Sequence, residues 1–267
     1  MARNVEILRR FGHSLTSAAI LDAMALATRR AGWKVVETDR YAGRSDWLVL
    51  WGAGDPAMNA ARLAQVAEGR KVLIWDMGYF CRGKLDAGYL RASIDRDHPQ
   101  HLLDRAPNYA SRWNALGIEL QELADPNGPV ILVGMSFKYR EYMGTKRWEL
   151  KAFEALKKRF DSNRIVFRPK KRSPPLPISC NVDIRENIFD VLRGASLVVS
   201  HHSNVSADSA IVGVPFETED GAAIWLAKRP FTVANRLEFL QRLAWFQWRV
   251  DEADEAWKFF TELGDRA

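Results

Sequence analysis

Two cysteines, Cys81 and Cys180, are all that 267 residues contain, and neither has a partner at CxxC spacing. That excludes a disulfide framework and a zinc site of Cys/His type as organising principles. Two reduced thiols in a cytoplasmic chain are expected instead. No apolar run approaches the ~18 residues that a membrane span requires. The basic residues near Met1 are followed by no apolar core of a secretory signal. An Asp-x-Asp motif at a strand end, which would carry a metal for diphosphate chemistry, is also not apparent, so no metal is expected.

Hydrophobic residues make up 47% of the chain and charged ones 27%, which suits a globular protein with a real core. The net charge is +6 and the isoelectric point about 9.4. The excess favours an anionic partner, whether nucleotide, nucleic acid or membrane surface; a merely basic protein would show it too.

Apolar runs alternate with helical periodicity. Val5 to Leu8 reads as a strand and residues 15–31 as a helix, with Ile20, Met24, Ala27 and Ala31 on one stripe, Ser14 as N-cap and Gly32 as C-cap. Strands follow at 34–38, 46–51 and 71–75, with a helix opened by Pro56 between the last two. From Cys81 to Arg112 the alternation stops in a long Arg-, Asp- and His-rich loop, and residues 109–124 regain helical character. Asp125-Pro126-Asn127-Gly128-Pro129 reads as a linker. The alternation then restarts: strands at 130–133, 164–168, 197–200 and 214–218, helices at 145–160, 186–192 and 204–212. The expected fold is α/β, with two Rossmann-like parallel-sheet domains facing each other across a cleft. Residues 1–125 form the first, with an aromatic C-terminal stretch, 235–267, packing back on it; residues 129–234 form the second. Trp245, Trp248 and Trp257 serve either as that packing or as stacking platforms for bases.

In such sheets ligands bind beyond the carboxyl ends of the strands. The turn Ser200-His201-His202-Ser203-Asn204 follows an apolar strand and opens a helix, where free N–H groups favour a phosphate; Ser and Asn also cap helices there without any ligand. Arg168, Lys170, Lys171 and Arg172 either neutralise a diphosphate or face water. Gly134-Met135-Ser136-Phe137-Lys138 follows the first strand of the second half. Lys146 and Arg147 oppose the dipole of the helix they open, a conflict that a bound anion would relieve and surface solvation would relieve too. Three groups qualify as a base: His13 after the first strand, Asp55 after Gly52-Ala53-Gly54, and Asp76 after the strand at 71–75. His13 and Asp55 could equally cap helices.

The stretch Leu197 to Thr218 resembles the C-terminal half of GT-B-type glycosyltransferases, whose sugar-nucleotide site has a Ser/Thr-rich turn, a helix and a Gly-x-Pro strand. Capsule-polysaccharide and Kdo-type transferases carry a related pattern. Ser200, Ser203, Asn204, Gly213, Val214 and Pro215 match it here, with Asp208 the nearest acid in the helix. Val166-Phe167-Arg168-Pro169-Lys170 resembles the Arg-Pro-His-Pro strand end of the same enzymes, Lys170 standing where the His would be. Trp75 to Tyr79 together with Arg91 to Pro99 resembles phage-encoded glycosyltransferases, which would place Asp76, Tyr79, Arg91 and His98 on the acceptor side.

The resemblance implies a metal-independent glycosyltransferase with no cofactor. Its co-substrate is a nucleotide sugar, UDP-linked by expectation, held by Gly134, Ser136, Lys138, Arg168, Lys170, His202, Ser203 and Asn204. The acceptor is expected to be a hydroxymethylated base in double-stranded phage-type DNA, in the host cytoplasm, with Lys138, Arg140, Lys146, Arg147, Lys170 and Lys171 facing the duplex. A polysaccharide or lipid acceptor, a UDP-sugar epimerase and a non-catalytic nucleotide- or nucleic-acid-binding protein are the alternatives.

Overall fold

The computed structural model describes residues 3–9, 14–82, 88–142, 144–171, 173–174 and 176–265. The chain divides into two compact units: residues 1–107 with 243–267, and residues 108–242.

The first unit is built on strands β1 (Asn4–Leu8), β2 (Lys34–Thr38), β3 (Trp47–Trp51), β4 (Lys71–Met77) and β5 (Leu90–Ile94). β1, β3 and β4 are almost wholly buried, which is why they read as apolar runs without alternation. Helix α1 (Leu15–Arg30) starts at Ser14, whose hydroxyl accepts from Ser17 N at 3.2 Å. Helix α2 (Pro56–Ala67) starts at Asp55, whose Oδ1 accepts from Ala57 N at 2.9 Å, with Pro56 at the first position.

The second unit begins with α3 (Ser111–Ala115), then β6 (Val130–Val133), α4 (Phe137–Tyr142), α5 (Trp148–Lys157), β7 (Ile165–Arg168), β8 (Asn181–Val182), α6 (Ile188–Leu192), β9 (Leu197–Ser200), α7 (Val205–Val212), β10 (Phe216–Thr218), α8 (Ile224–Ala227) and α9 (Val233–Ala244). The chain then returns to the first unit as β11 (Gln247–Trp248) and α10 (Ala253–Asp265).

The sheets are ordered β11-β5-β4-β3-β1-β2 and β10-β9-β6-β7-β8. In the first, β4, β3, β1 and β2 are parallel, β5 is antiparallel to β4, and β11 is antiparallel to β5 in turn. The second is parallel throughout. Numbered within the unit, its order is 3-2-1-4-5, that of dinucleotide-binding sheets, and the order reverses between β6 and β9. Each sheet has its own core. Trp257 of α10 stands edge-on to Trp33 and Trp47, at 5.1 and 5.4 Å between ring centres. In the second unit Leu132, Phe167, Trp148, Phe153 and Leu156 pack together. Those C-terminal tryptophans are core: Trp248 and Trp257 are buried, and Trp245 stacks on Phe259.

Several sequence expectations change. The expected long loop after Cys81 contains β5, hidden because a buried antiparallel strand reading Leu-Arg-Ala-Ser-Ile has neither alternation nor an apolar run. Only residues 111–115 of the expected helix 109–124 are α-helical. Beyond Gly117 the chain is neither helix nor strand up to β6 and belongs to the second unit, where Gln121 N donates to Ile211 O and Ala124 N to Gly213 O. The expected helix 145–160 is α5, preceded by the separate α4, so Lys146 and Arg147 lie before a helix and not in its first turn.

Candidate active site

In the second unit the loops after β6 and β9 flank the point where strand order reverses. Gly134 ends β6 and donates its N–H to Arg168 O at 2.9 Å. A Cβ there would stand 3.2 Å from Lys170 N and 3.3 Å from Arg168 O, so the glycine lets the loops after β6 and β7 touch. Met135 N donates to Glu149 Oε1 at 2.9 Å, and Met135 O accepts from Ser173 Oγ at 3.2 Å. Phe137 N donates to the same hydroxyl at 3.1 Å, and Ser136 Oγ accepts from Tyr139 N at 3.3 Å. The loop is therefore held at nearly every residue.

The turn after β9 meets α4. His202 stacks on Tyr139, with ring centres 3.3 Å apart and planes 17° from parallel. His201 is buried edge-on to Trp148 at 5.5 Å, its Nε2 lying 3.8 Å from Glu219 Oε2. Trp148 Nε1 donates to the other oxygen of Glu219 at 2.6 Å. Thr218 Oγ1, Glu219 N and Asp220 N all donate to His201 O, which ties the turn to the end of β10. Ser203 Oγ accepts from Val205 N at 3.3 Å, and Asn204 immediately precedes α7. Ser200 Oγ bonds Ser206 Oγ at 3.0 Å.

The expected donor residues Gly134, Ser136, His202, Ser203 and Asn204 thus share one sheet edge. Arg168 behaves differently from an unengaged cation: its guanidinium reaches Asp183 Oδ1 at 3.3 Å and Glu186 O at 3.4 Å. Lys138, in the first turn of α4, and Lys170, on the loop after β7, are both exposed. Arg140, expected on a DNA-facing surface, is buried and donates to Glu149 Oε1 at 2.8 Å. Lys146 pairs with Glu141 and Lys171 with Glu186, each at 2.8 Å. Arg172 lies outside the described residues.

In the first unit, Asp76, Arg91 and Gln247 are register partners across β4, β5 and β11. Opposed residues of antiparallel strands share a face, and Arg91 Nη2 donates to Asp76 Oδ2 at 2.8 Å. Arg91 Nη1 donates to the Asp97 carbonyl and stands 3.3 Å from His98 Nδ1. Tyr79 Oη is 2.8 Å from the same nitrogen. A guanidinium has no acceptor, so Nδ1 accepts and Tyr79 donates. Gln247 Oε1 takes the backbone N–H groups of Tyr79 and Phe80. Desolvation pushes the Asp76 carboxyl up, more than the Arg91 cation pulls it down, and nearby Asp97 adds to the rise. Burial raises the Tyr79 phenol, and burial with Arg91 holds the His98 imidazole well below its ordinary range.

Sequence reasoning placed Asp76, Tyr79, Arg91 and His98 together, and the structure joins them in one network. It gave no individual role to Tyr139, Trp148, Glu149, His201 or Glu219. Glu149 reads from sequence as a first-turn acid complementing the helix dipole, and nothing local marks it as buried. Asp55 spends Oδ1 on capping α2, and His13 lies outside the described residues. Contrary to expectation, Asp95-Arg96-Asp97 directly follows β5, an Asp-x-Asp at a strand end. Its carboxylates are already engaged: Asp95 with Val72 N at 2.9 Å and Lys71 Nζ at 3.4 Å, Asp97 with Arg91 at 3.5 Å. Among the described residues no three His, Cys, Asp or Glu side chains converge to hold a metal ion, and no helix is long and apolar enough to cross a membrane.

The chain is thus made of two α/β units, each with a parallel-rich sheet of Rossmann type. No protein-family model matches the sequence, and no curated protein does. Among solved structures the fold is similar to the beta Kdo 2,4 transferase of Thermosulfurimonas dismutans KpsC, at 12% identity over 99% of this chain and 98% of that one, with a TM-score of 0.57. It is also similar to the beta Kdo 2,7 transferase of the same KpsC, at 13% identity over 97% and 100%, with a TM-score of 0.51. At such identities the likeness is one of fold.

Proposed function

We propose that this chain is a glycosyltransferase that takes its sugar from a nucleotide sugar bound at the carboxyl edge of the second sheet. The observation that carries the proposal is the meeting of the β6 and β9 loops, through the Tyr139–His202 stack, where strand order reverses in a nucleotide-binding topology. Gly134, Ser136, Lys138, Lys170, His202, Ser203 and Asn204 bind the donor. The departing phosphate is met by loop N–H groups and by Lys138 and Lys170. Arg168, tied to Asp183, orients the β7 end. Deprotonation of the acceptor hydroxyl falls to Asp76. Its raised proton affinity suits a base working nearer neutrality than an ordinary carboxylate.

The acceptor we favour is a saccharide hydroxyl. Of the six cations expected to face duplex DNA, one is buried and two are neutralised by glutamates, while the two solved structures of like fold described above are Kdo transferases. We further propose that transfer needs no metal; EDTA then leaves the rate unchanged.

The test is calorimetry against a panel of uridine-, cytidine- and guanosine-linked sugars, with UDP-linked ones first. Ser203→Ala with Asn204→Ala weakens binding by about 1–3 kcal/mol, and Asp76→Asn lowers transfer by about 10²–10⁴-fold with donor binding intact. Unchanged affinity in the double variant sinks the donor site. Conversion of the donor without any acceptor identifies an epimerase instead. A gel shift at two salt concentrations settles the acceptor class, because duplex binding would weaken steeply with salt.

A further inference from the structure

The short helix α4 joins both loops of the proposed donor site to the body of the second unit. Its first turn is set by Ser136, whose hydroxyl accepts from Tyr139 N and whose carbonyl accepts from Arg140 N at 3.0 Å. Tyr139 then reaches the β9 turn through its stack on His202. The next residue, Arg140, points to α5 and meets Glu149. Both side chains are buried, at 5% and 0% exposure. Two donors converge on one oxygen, Glu149 Oε1: Arg140 Nε at 2.8 Å and the Met135 backbone N–H at 2.9 Å. One carboxylate therefore fixes the loop before α4 and the cation on α4 at once.

We propose that Arg140 and Glu149 are positioning residues that set the register between the two donor-binding loops, 134–137 and 201–204. The inference rests on the donor-site reading above. A buried ion pair is a poor source of stability, because desolvation offsets most of its attraction, and apolar side chains of similar volume often replace one without loss. Here the pair does something that apolar packing does not: it holds a backbone N–H of a site loop at a defined point. Such preorganisation lowers the ordering cost of binding.

That distinction makes the test. Arg140→Met with Glu149→Leu removes both charges and leaves none unpaired. Glu149→Gln keeps an oxygen for Met135 N–H. Each is compared with wild type for melting temperature and for affinity toward UDP, CMP and GDP, and for donor KM and kcat where transfer is measurable. The Met/Leu variant is expected to melt within a few degrees of wild type yet bind the nucleotide about tenfold more weakly, the order of one lost charge-assisted hydrogen bond. The loss should lie in KM with kcat little changed, and Glu149→Gln should recover most of it. Affinity that stays at the wild-type level in the Met/Leu variant overturns this inference alone. So does affinity that falls only in step with melting temperature across the variants. A wild type that binds none of the three nucleotides overturns the donor-site reading, and this inference with it.

Discussion

Single residues decide two features of this chain. Gly213 ends α7 at φ +87°, and a Cβ there would lie 1.9 Å from Glu122 O. Both the left-handed backbone and the close approach of the 121–124 segment require glycine. Gly52, at φ +66°, has nothing within 4 Å of the same virtual atom. Gly52→Ala should then cost about 1 kcal/mol, and Gly213→Ala at least the upper end of the ~1–3 kcal/mol set by backbone strain, because the clash is with main chain. Urea titration of both variants checks the contrast, and equal losses refute it. The second feature is His98. Burial and Arg91 keep its imidazole neutral in the folded protein, while the unfolded chain takes up the proton near pH 6.5. Stability present above that pH is therefore lost as pH falls below it, by up to about 1.4 kcal/mol per pH unit for one proton. His101, though exposed at the surface, is also lowered, by partial desolvation and the Arg96 cation, and adds to the slope. Melting temperature scanned downward from neutral pH should fall, and His98→Asn, which keeps an acceptor for Tyr79, should flatten part of that fall. A wild-type profile that stays level through this range refutes the assignment.

At the scale of elements, α9 secures α7. Arg236 is fully buried, and its guanidinium donates to Ala210 O at 2.7 Å, Ile211 O at 3.1 Å and Gln121 O at 2.7 Å. The first two are carbonyls at the end of a helix, where a cation is favoured. Desolvation lowers the guanidinium's proton affinity, but not enough to discharge an arginine. Arg236→Met keeps the volume and strands those carbonyls. It should cost about 3 kcal/mol or more, read by denaturant unfolding of the second unit, and a loss under about 1 kcal/mol would contradict it. Elements of this kind show what a sequence exposes. β1, β3, β4, β6 and β9 were legible because strands buried on both faces must be apolar throughout. α1, α2 and α7 were legible through Ser14, Asp55 with Pro56, and Gly213. β5 was not, since its buried Arg91 serves Asp76 and two other partners and so breaks the apolar run. The segment after Gly117 reads as a helix because Trp113, Leu116, Leu120 and Leu123 fall at helical spacing, while its partners lie about ninety residues away at Ile211 and Gly213. Within the candidate site, the loops at strand ends could be foreseen from turn chemistry. Glu149 and Arg140 could not, because their pairing depends on how two helices pack.

At the scale of the whole molecule, the first unit is discontinuous in sequence: residues 243–267 complete what residues 1–107 begin. β11 adds to the edge of β5, and Gln247 supplies the acceptor for two backbone N–H groups beside Asp76. α10 lies against α1, and a Cβ on Gly264 would come within 2.7 Å of the Trp47 ring, so the packing there is close. Phe246, Trp248, Trp257 and Phe260 are all buried. Aromatic side chains bury about 150–250 Å² each. At about 25 cal/mol per Å², losing four of them removes on the order of 15–25 kcal/mol of apolar burial. That exceeds the ~5–15 kcal/mol by which an ordinary domain is stable. A chain ending at residue 242 should therefore lose the first unit altogether. The second unit should survive, because its five-stranded sheet and the cluster around Trp148, Phe153 and Phe167 lie wholly within residues 108–242. Residues 108–242 expressed alone should melt cooperatively, and residues 1–242 should show that same transition together with increased binding of a dye that reports exposed apolar surface. If residues 1–242 melt as the full chain does, the C-terminal return is dispensable. If residues 108–242 show no cooperative transition, the second unit is not an independent domain. Protection of its amides from hydrogen exchange in both fragments would locate the surviving core at β6, β7 and β9.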